Sequence, residues 1–184
     1  VAVLTFDSAG SVNVIQPAFA AAFQTEFSKA LSDANVRAIV LASAKKDFIV
    51  GADVAFLDGI PFADDAAKLA KELANGLLAV AQAAKPVVAA VNGQALGGGF
   101  ELALAAHAIV LSATGSVGLP EVKLGLLPGA NGLLRVAERA GLAAALDLGL
   151  TGRTVRARAA KELGLVAAIA PASVLVDAAA KHAL

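Results

Sequence analysis

Two short runs, Val36–Ala42 and Pro86–Val91, are apolar at nearly every position, and each follows a stretch whose apolar residues recur at helical spacing. A strand wetted on one face would alternate. These do not, so both faces are expected to be covered, as in a parallel sheet whose crossovers are helices. Val1–Phe6 alternates and carries β-branched residues, and Asp7–Gly10 has the composition of a turn. Phe19, Phe23, Phe27 and Leu31 fall on one helical face, as do Phe62, Ala66, Leu69, Leu73, Leu77 and Val80 within Pro61–Ala84. Phe48–Val50 leads into Gly51-Ala52-Asp53. A helix from Gly99 to about Ala106, a strand over Ala108–Ser112 and helical patterns through Arg135–Leu148, Val155–Leu163 and Val174–Leu184 continue the alternation. The order predicts one α/β domain over residues 1–184 with a mainly parallel sheet, and no internal repeat, linker or low-complexity tract is visible.

Composition narrows the classes of function. Lys and Arg together number 15 and Asp and Glu 15, so the net charge is zero and no field favours nucleic acid or a membrane surface as partner. Apolar residues make up 58% of the chain, but the most apolar stretch, Leu102–Ala113, is too short for a bilayer span of roughly 20 residues and contains His107. There is no Cys, and His occurs only at 107 and 182, so neither disulfides nor a metal site is expected. A cytoplasmic or organelle-matrix enzyme fits this balance. Met, Trp and Tyr are also absent, and the chain opens directly on strand-like sequence, as expected of an excerpt from a longer protein.

Chemistry concentrates in Asn92-Gly93-Gln94-Ala95-Leu96-Gly97-Gly98-Gly99-Phe100-Glu101, followed by an isolated carboxylate in Gly118-Leu119-Pro120-Glu121. Three consecutive glycines leave backbone N–H groups open to a ligand, and the apolar run behind Glu101 places it in the first turn of a buried helix. A carboxylate among Leu and Ala is costly without a partner or a task, which marks Glu101 and Glu121 for acid/base work. A first-turn Glu can also serve simply as a partner for the helix dipole, and a Glu after Pro can be a solvated loop residue. The glycine loop favours the catalytic reading. Neither G-x-G-x-x-G nor a following G-K-[ST] is present, so dinucleotide or nucleotide phosphate binding is not expected. Asp53 is expected to cap the next helix.

Phe48–Asp53, Lys85-Pro86 through Gly93, Gly97–Ala103, Gly118–Gly129 and Leu150-Thr151-Gly152-Arg153 occur in the order and spacing of the enoyl-CoA hydratase/isomerase (crotonase) superfamily, which the chain resembles from end to end. Phe6–Asn13 and Phe48–Asp53 look most like the hydratase part of multifunctional fatty-acid oxidation alpha subunits. The resemblance implies a crotonase-like fold: a ββα-repeat spiral core with a mainly parallel sheet and surrounding helices. It implies reversible hydration of trans-2-enoyl-CoA, with Δ3,Δ2-enoyl-CoA isomerisation as the alternative. A non-catalytic assembly subunit is the alternative of another class. The N–H groups of Ala52 and Gly98 would form the oxyanion hole, and Glu101 and Glu121 would hold one water, Glu101 as base and Glu121 as acid. Gly51, Asp53, Val54, Gly97, Gly99, Pro120 and Gly129 would line the substrate. No cofactor is implied, because coenzyme A belongs to the substrate. The partners implied are an acyl-CoA and either further copies, as a homotrimer or hexamer, or a thiolase subunit. Departures from the family pattern occur at Ala55 and at Asn131-Gly132-Leu133-Leu134-Arg135, where an altered acyl pocket or intersubunit edge is expected.

Overall fold

A computed structural model describes residues 1–184 apart from the Val54 side chain, so the substrate contact expected of Val54 lies outside the described residues. The elements follow in the order β1 (Ala2–Phe6), α1 (Pro17–Ser32), β2 (Ile39–Ser43), α2 (Val54–Asp58), α3 (Ala63–Ala81), β3 (Val87–Val91), β4 (Gln94–Leu96) and α4 (Gly98–Ala105). Then come β5 (Ala108–Ser112), β6 (Ser116–Gly118), a 3-10 turn (Pro120–Leu124), α5 (Gly132–Ala140), α6 (Leu142–Thr151), β7 (Thr154–Arg156), α7 (Ala157–Glu162), β8 (Ala168–Ala170) and α8 (Leu175–His182).

The main sheet has the order β1-β2-β3-β5-β8 and is parallel throughout. The two uniformly apolar runs form its interior strands. In β2 and β3, Ile39, Leu41, Val87, Ala89 and Val91 point into one core, while Ala38, Val40, Ala42, Val88 and Ala90 point to the other side, where α8 supplies Leu175, Ala179 and Ala183. Small residues dominate that second interface, so helix and sheet approach closely. On the first side, α1 presents Phe19, Phe23 and Phe27 around Phe6, with Phe23 and Phe27 stacked at 5.3 Å. Its start is set by Pro17 in the first turn, where a missing N–H costs nothing.

A smaller sheet, β4-β6-β7, stands beside the first. Isolated parallel bridges extend it: Ile15 pairs with Ala52, and Ile49 with Ala95. Each long strand is therefore followed by a short limb in the second layer before the chain turns away. β1 leads to Ile15, β2 to Ile49–Ala52, β3 to β4 and β5 to β6. This is the ββα repeat that the resemblance implied. Two expectations are corrected. Arg135–Leu148 is two helices, because Gly141 at φ 85° breaks the turn between α5 and α6. Val155 belongs to β7, paired with Val117, so the helix expected over Val155–Leu163 begins only at Ala157.

Candidate active site

The second-layer limbs end side by side, and Gly97 sits where they meet. Its φ of 53° and ψ of −129° suit glycine, and they turn β4 sharply into α4. Gly97 N–H donates to Gly118 O at 3.0 Å, and Gly97 O accepts from Glu101 N–H at 2.9 Å. A Cβ on Gly97 would lie 3.0 Å from Glu121 Oε1 and 3.7 Å from Gly51 Cα, so one residue touches both the 51–52 limb and the second carboxylate. Gly99 is equally tight, since a Cβ there would fall 2.2 Å from Ile49 O.

Two amides are left free by this arrangement. Gly51 O accepts from Ile15 N–H and Asp53 N–H donates to Ile15 O, which turns the intervening Ala52 N–H to the opposite side. Gly98 opens α4, where the first N–H groups have no partner within the helix. Among the described residues, neither Ala52 N–H nor Gly98 N–H donates to an acceptor outside regular helix or strand bonding. Asp53 caps α2 as expected, its Oδ1 accepting from Ala55 N–H at 3.0 Å and Phe56 N–H at 3.2 Å.

Glu101, at 1% exposure, lies in the first turn of α4. Its Oε1 accepts from Ala130 N–H and Gly132 N–H, both at 2.8 Å. Asn131 between them takes φ 67°, and Arg135 Nη1 donates to Ala130 O at 2.6 Å, so α5 and the bend before it form a cradle for one carboxylate oxygen. A Cβ on Gly132 would collide with Glu101 Cγ at 2.7 Å. Burial pushes the Glu101 carboxyl above its ordinary value, against the pull of the Ala130 and Gly132 amides and of the Arg135 charge. Glu121 sits in the first turn of the 3-10 segment, just after Pro120, and its buried Oε2 has no hydrogen-bond partner. Burial pushes its pKa up to about 7; its own backbone amide opposes the rise and the Glu101 charge adds to it. An orphaned buried acceptor beside a second carboxylate is an arrangement that stability alone would not select.

The glycine turn thus brings Gly51 and Glu121 against Gly97, with Gly98, Gly99 and Glu101 following in the first turn of α4, Ala52 next to Gly51 and Pro120 next to Glu121. Gly129 adjoins Ala70 of α3, where a Cβ would stand 3.8 Å from the Ala70 methyl, and it immediately precedes the cradle. The cradle itself escaped the sequence: within residues 131–135, where an altered acyl pocket or intersubunit edge was expected, Gly132 N–H bonds Glu101 and Arg135 steadies Ala130. The signal available was Gly129-Ala130-Asn131-Gly132, a string rich in residues tolerant of positive φ. Two clefts lie elsewhere, one of about 380 Å³ between β1 and α1 and one of about 540 Å³ lined by Lys46, Asp47, Gln94, Thr114, Ser116 and Arg156. Neither reaches the carboxylates, so chemistry and not volume marks the site. Among the described residues, no group of three or more His, Asp or Glu could hold a metal ion, and no helix is long and apolar enough to cross a membrane.

The sequence profile of the family described as "Enoyl-CoA hydratase/isomerase" matches residues 1–183. The chain belongs to the enoyl-CoA hydratase/isomerase family. Its sequence is 42% identical over 188 residues to the "Fatty acid oxidation complex subunit alpha" of Shewanella loihica and 43% identical to that of Idiomarina loihiensis. The whole chain is covered in both matches, and it spans 27% of the length of each of those relatives. Among solved structures, an enoyl-CoA hydratase from Bacillus anthracis superposes with a TM-score of 0.92 at 31% identity, covering 98% of this chain and 70% of that one. One described as "Enoyl-CoA hydrates" from Geobacillus kaustophilus gives 0.93 at 27% identity, covering 98% and 69%. Membership in the enoyl-CoA hydratase/isomerase family accords with the ββα repeat and with an α/β fold of mostly parallel sheet.

Proposed function

We propose that this chain catalyses the reversible hydration of trans-2-enoyl-CoA to 3-hydroxyacyl-CoA in fatty-acid β-oxidation. The observation that carries the reading is the juxtaposition of the buried Glu101 and the half-buried Glu121, whose Oε2 is shut off from solvent, about the same glycine turn that frees Gly98 N–H beside Ala52. The thioester oxygen would accept from the Ala52 and Gly98 amides. Charge develops on that oxygen as water adds to C3, and fixed amide dipoles stabilise it without reorganising. With Oε1 occupied by two amides, Glu101 keeps Oε2 for the water and takes its proton. Glu121, whose pKa is pushed up to about 7, is protonated in a substantial share of molecules at neutral pH, and that form delivers its proton to C2. Transfer of the proton from Glu101 back to Glu121 closes the cycle, and the net change is addition of one water. No separate cofactor enters, because coenzyme A arrives as part of the substrate.

Isomerisation of Δ3-enoyl-CoA is the second reading, since the same amides stabilise the same enolate. The presence of two carboxyls rather than one favours hydration. Incubation with crotonyl-CoA decides the matter: loss of the enoyl thioester absorbance supports hydratase. Conversion of a 3-enoyl-CoA without hydration supports isomerase, and inertness toward both leaves the non-catalytic assembly role. In solution we propose association through the exposed apolar faces of α5, α6 and the 3-10 turn, with further copies or, as the relatives' description as subunits of a complex suggests, with a second type of subunit.

A further inference from the structure

The loop ahead of α1 carries a side chain that the proposed reaction leaves unused. Asn13 is fully buried at 0% exposure. Its Nδ2 donates to Phe6 O at 3.3 Å, Ser43 Oγ at 2.9 Å and Phe48 O at 3.0 Å, while its Oδ1 accepts from Ser8 N–H at 2.9 Å. Its main-chain carbonyl accepts from Val50 N–H at 3.0 Å. Holding the turn after β1 would need only the bonds to Phe6 and Ser8. The others reach across to the limb that carries Ala52.

That limb is anchored unevenly. Up to Leu96 it is bonded on its far side as well, Phe48 N–H donating to Gln94 O and Ile49 O accepting from Leu96 N–H, each at 3.0 Å. Beyond Val50, among the described residues, the bonds to a neighbouring limb go to Ile15: Ile15 N–H donates to Gly51 O at 2.9 Å, and Ile15 O accepts from Asp53 N–H at 3.1 Å. The Ile15 side chain also abuts the other amide, because a Cβ on Gly98 would stand 2.9 Å from Ile15 Cδ1. Residues 13–15 therefore span from one limb of the amide pair to the other. We propose that Asn13 is a positioning residue that, through Val50 and Ile15, holds Ala52 N–H at the separation from Gly98 N–H at which one carbonyl oxygen meets both. The inference rests on the hydratase reading of the site. Its physical basis is that amide donors stabilise an oxyanion only within a narrow range of distance, so a limb that drifts loses rate before it loses binding.

The test compares Asn13→Ala with His107→Ala in the full chain. His107 Nδ1 accepts from Val87 N–H at 2.9 Å at the start of β3, so its loss also orphans a backbone donor, but outside the site. Asn13→Ala should lower kcat on crotonyl-CoA about 10- to 100-fold, with KM and the Kd for unreactive butyryl-CoA within about threefold of the parent. Amide hydrogen exchange at Val50 and Asp53 should quicken by about tenfold or more. His107→Ala should lower the melting temperature yet keep kcat within about twofold. A folded Asn13→Ala whose kcat stays within about threefold of the parent, or a His107→Ala that loses as much kcat, overturns the assignment. Should Asn13→Ala fail to fold, Ser43→Ala decides, since it removes one acceptor of Asn13 Nδ2. A kcat lowered about twofold or more at unchanged KM supports the strut, and an unchanged kcat sinks it. If the parent does not hydrate crotonyl-CoA, the hydratase reading falls instead. Exchange at Val50 and Asp53 in Asn13→Ala still decides whether Asn13 holds the limb.

Discussion

Glu101 and Glu121 differ in both burial and bonding, and the difference assigns their roles: Glu101 is fully buried with Oε1 held by two amides, whereas Glu121 is half-buried with an Oε2 that has no partner. A Gln at 101 can still offer Oε1 to the Ala130 and Gly132 amides, so Glu101→Gln should fold as the parent does. Glu101→Gln and Glu121→Gln should each lower hydration by about 10²- to 10⁴-fold while butyryl-CoA still binds, and either one keeping more than about a tenth of the parent rate refutes the paired mechanism. Glu121 also links stability to pH. Its pKa is about 7 in the folded chain against 4.5 for an unperturbed Glu, so the folded state holds the proton more tightly. That contribution is full below the unfolded value and is lost as pH rises through about 7. Relative to the parent's, the melting temperature of Glu121→Gln should therefore rise between about pH 5 and pH 8; a fall relative to the parent's over that range contradicts the assignment. Hydration by the parent should decline on the alkaline side of about 7, as the acid loses its proton. Gly132→Ala offers a third check at this scale, because its methyl would press on Glu101 Cγ at 2.7 Å. The carboxylate must shift out of its cradle, and kcat should fall by about tenfold or more.

Among the elements, those that were long and uniformly apolar could be read directly from the sequence. β2, β3 and β5 are buried on both faces, so their residues carry the signal themselves. The short limbs could not be read. β4, β6 and β7 span three residues each and the Ile15 and Ile49 bridges one, which is below the length at which a period of two can be recognised. β8, Ala168–Ala170, is hidden by its alanines. The break between α5 and α6 turned on one glycine inside a continuous apolar period. The same division holds at the site. Glu101, Glu121 and the glycine turn are marked by residue type, whereas Ala130 and Gly132 act through backbone amides, which any residue possesses. Lys85, which opens the motif that runs to Gly93, does a structural job that spacing alone did not reveal. Its Nζ donates to Ala30 O at 2.9 Å and Asp33 O at 2.7 Å, satisfying carbonyls at the C-terminal end of α1. Lys85→Met should cost about 1–2 kcal/mol in chemical denaturation with kcat unchanged, and a neutral outcome would remove this role.

At the scale of the whole molecule, the apolar surplus is only partly absorbed. Val136 and Leu148 are fully buried, whereas Leu134, Leu142, Leu146 and Leu150 stand exposed, as do Leu126 and Leu127. Leu142 at 67% and Leu150 at 72% belong to the surface through which we propose association. Self-association at micromolar concentration is expected, and Leu142→Glu combined with Leu146→Glu should shift sedimentation equilibrium toward monomer. A parent that sediments as a monomer with full activity would dispose of the interface and leave the chemistry standing. The pairing of the main sheet bears on how the chain reaches this state. Ala2 pairs with Ile39, Ile39 with Val87, Val88 with Ala108 and Val110 with Ala168, so every rung joins positions far apart along the chain. Such contacts require loop closure before they return any stabilisation, which places folding on the slow, millisecond-to-second side. During synthesis the edge of β5 waits for the last strand to emerge, and for that interval the nascent chain is open to pairing with its neighbours.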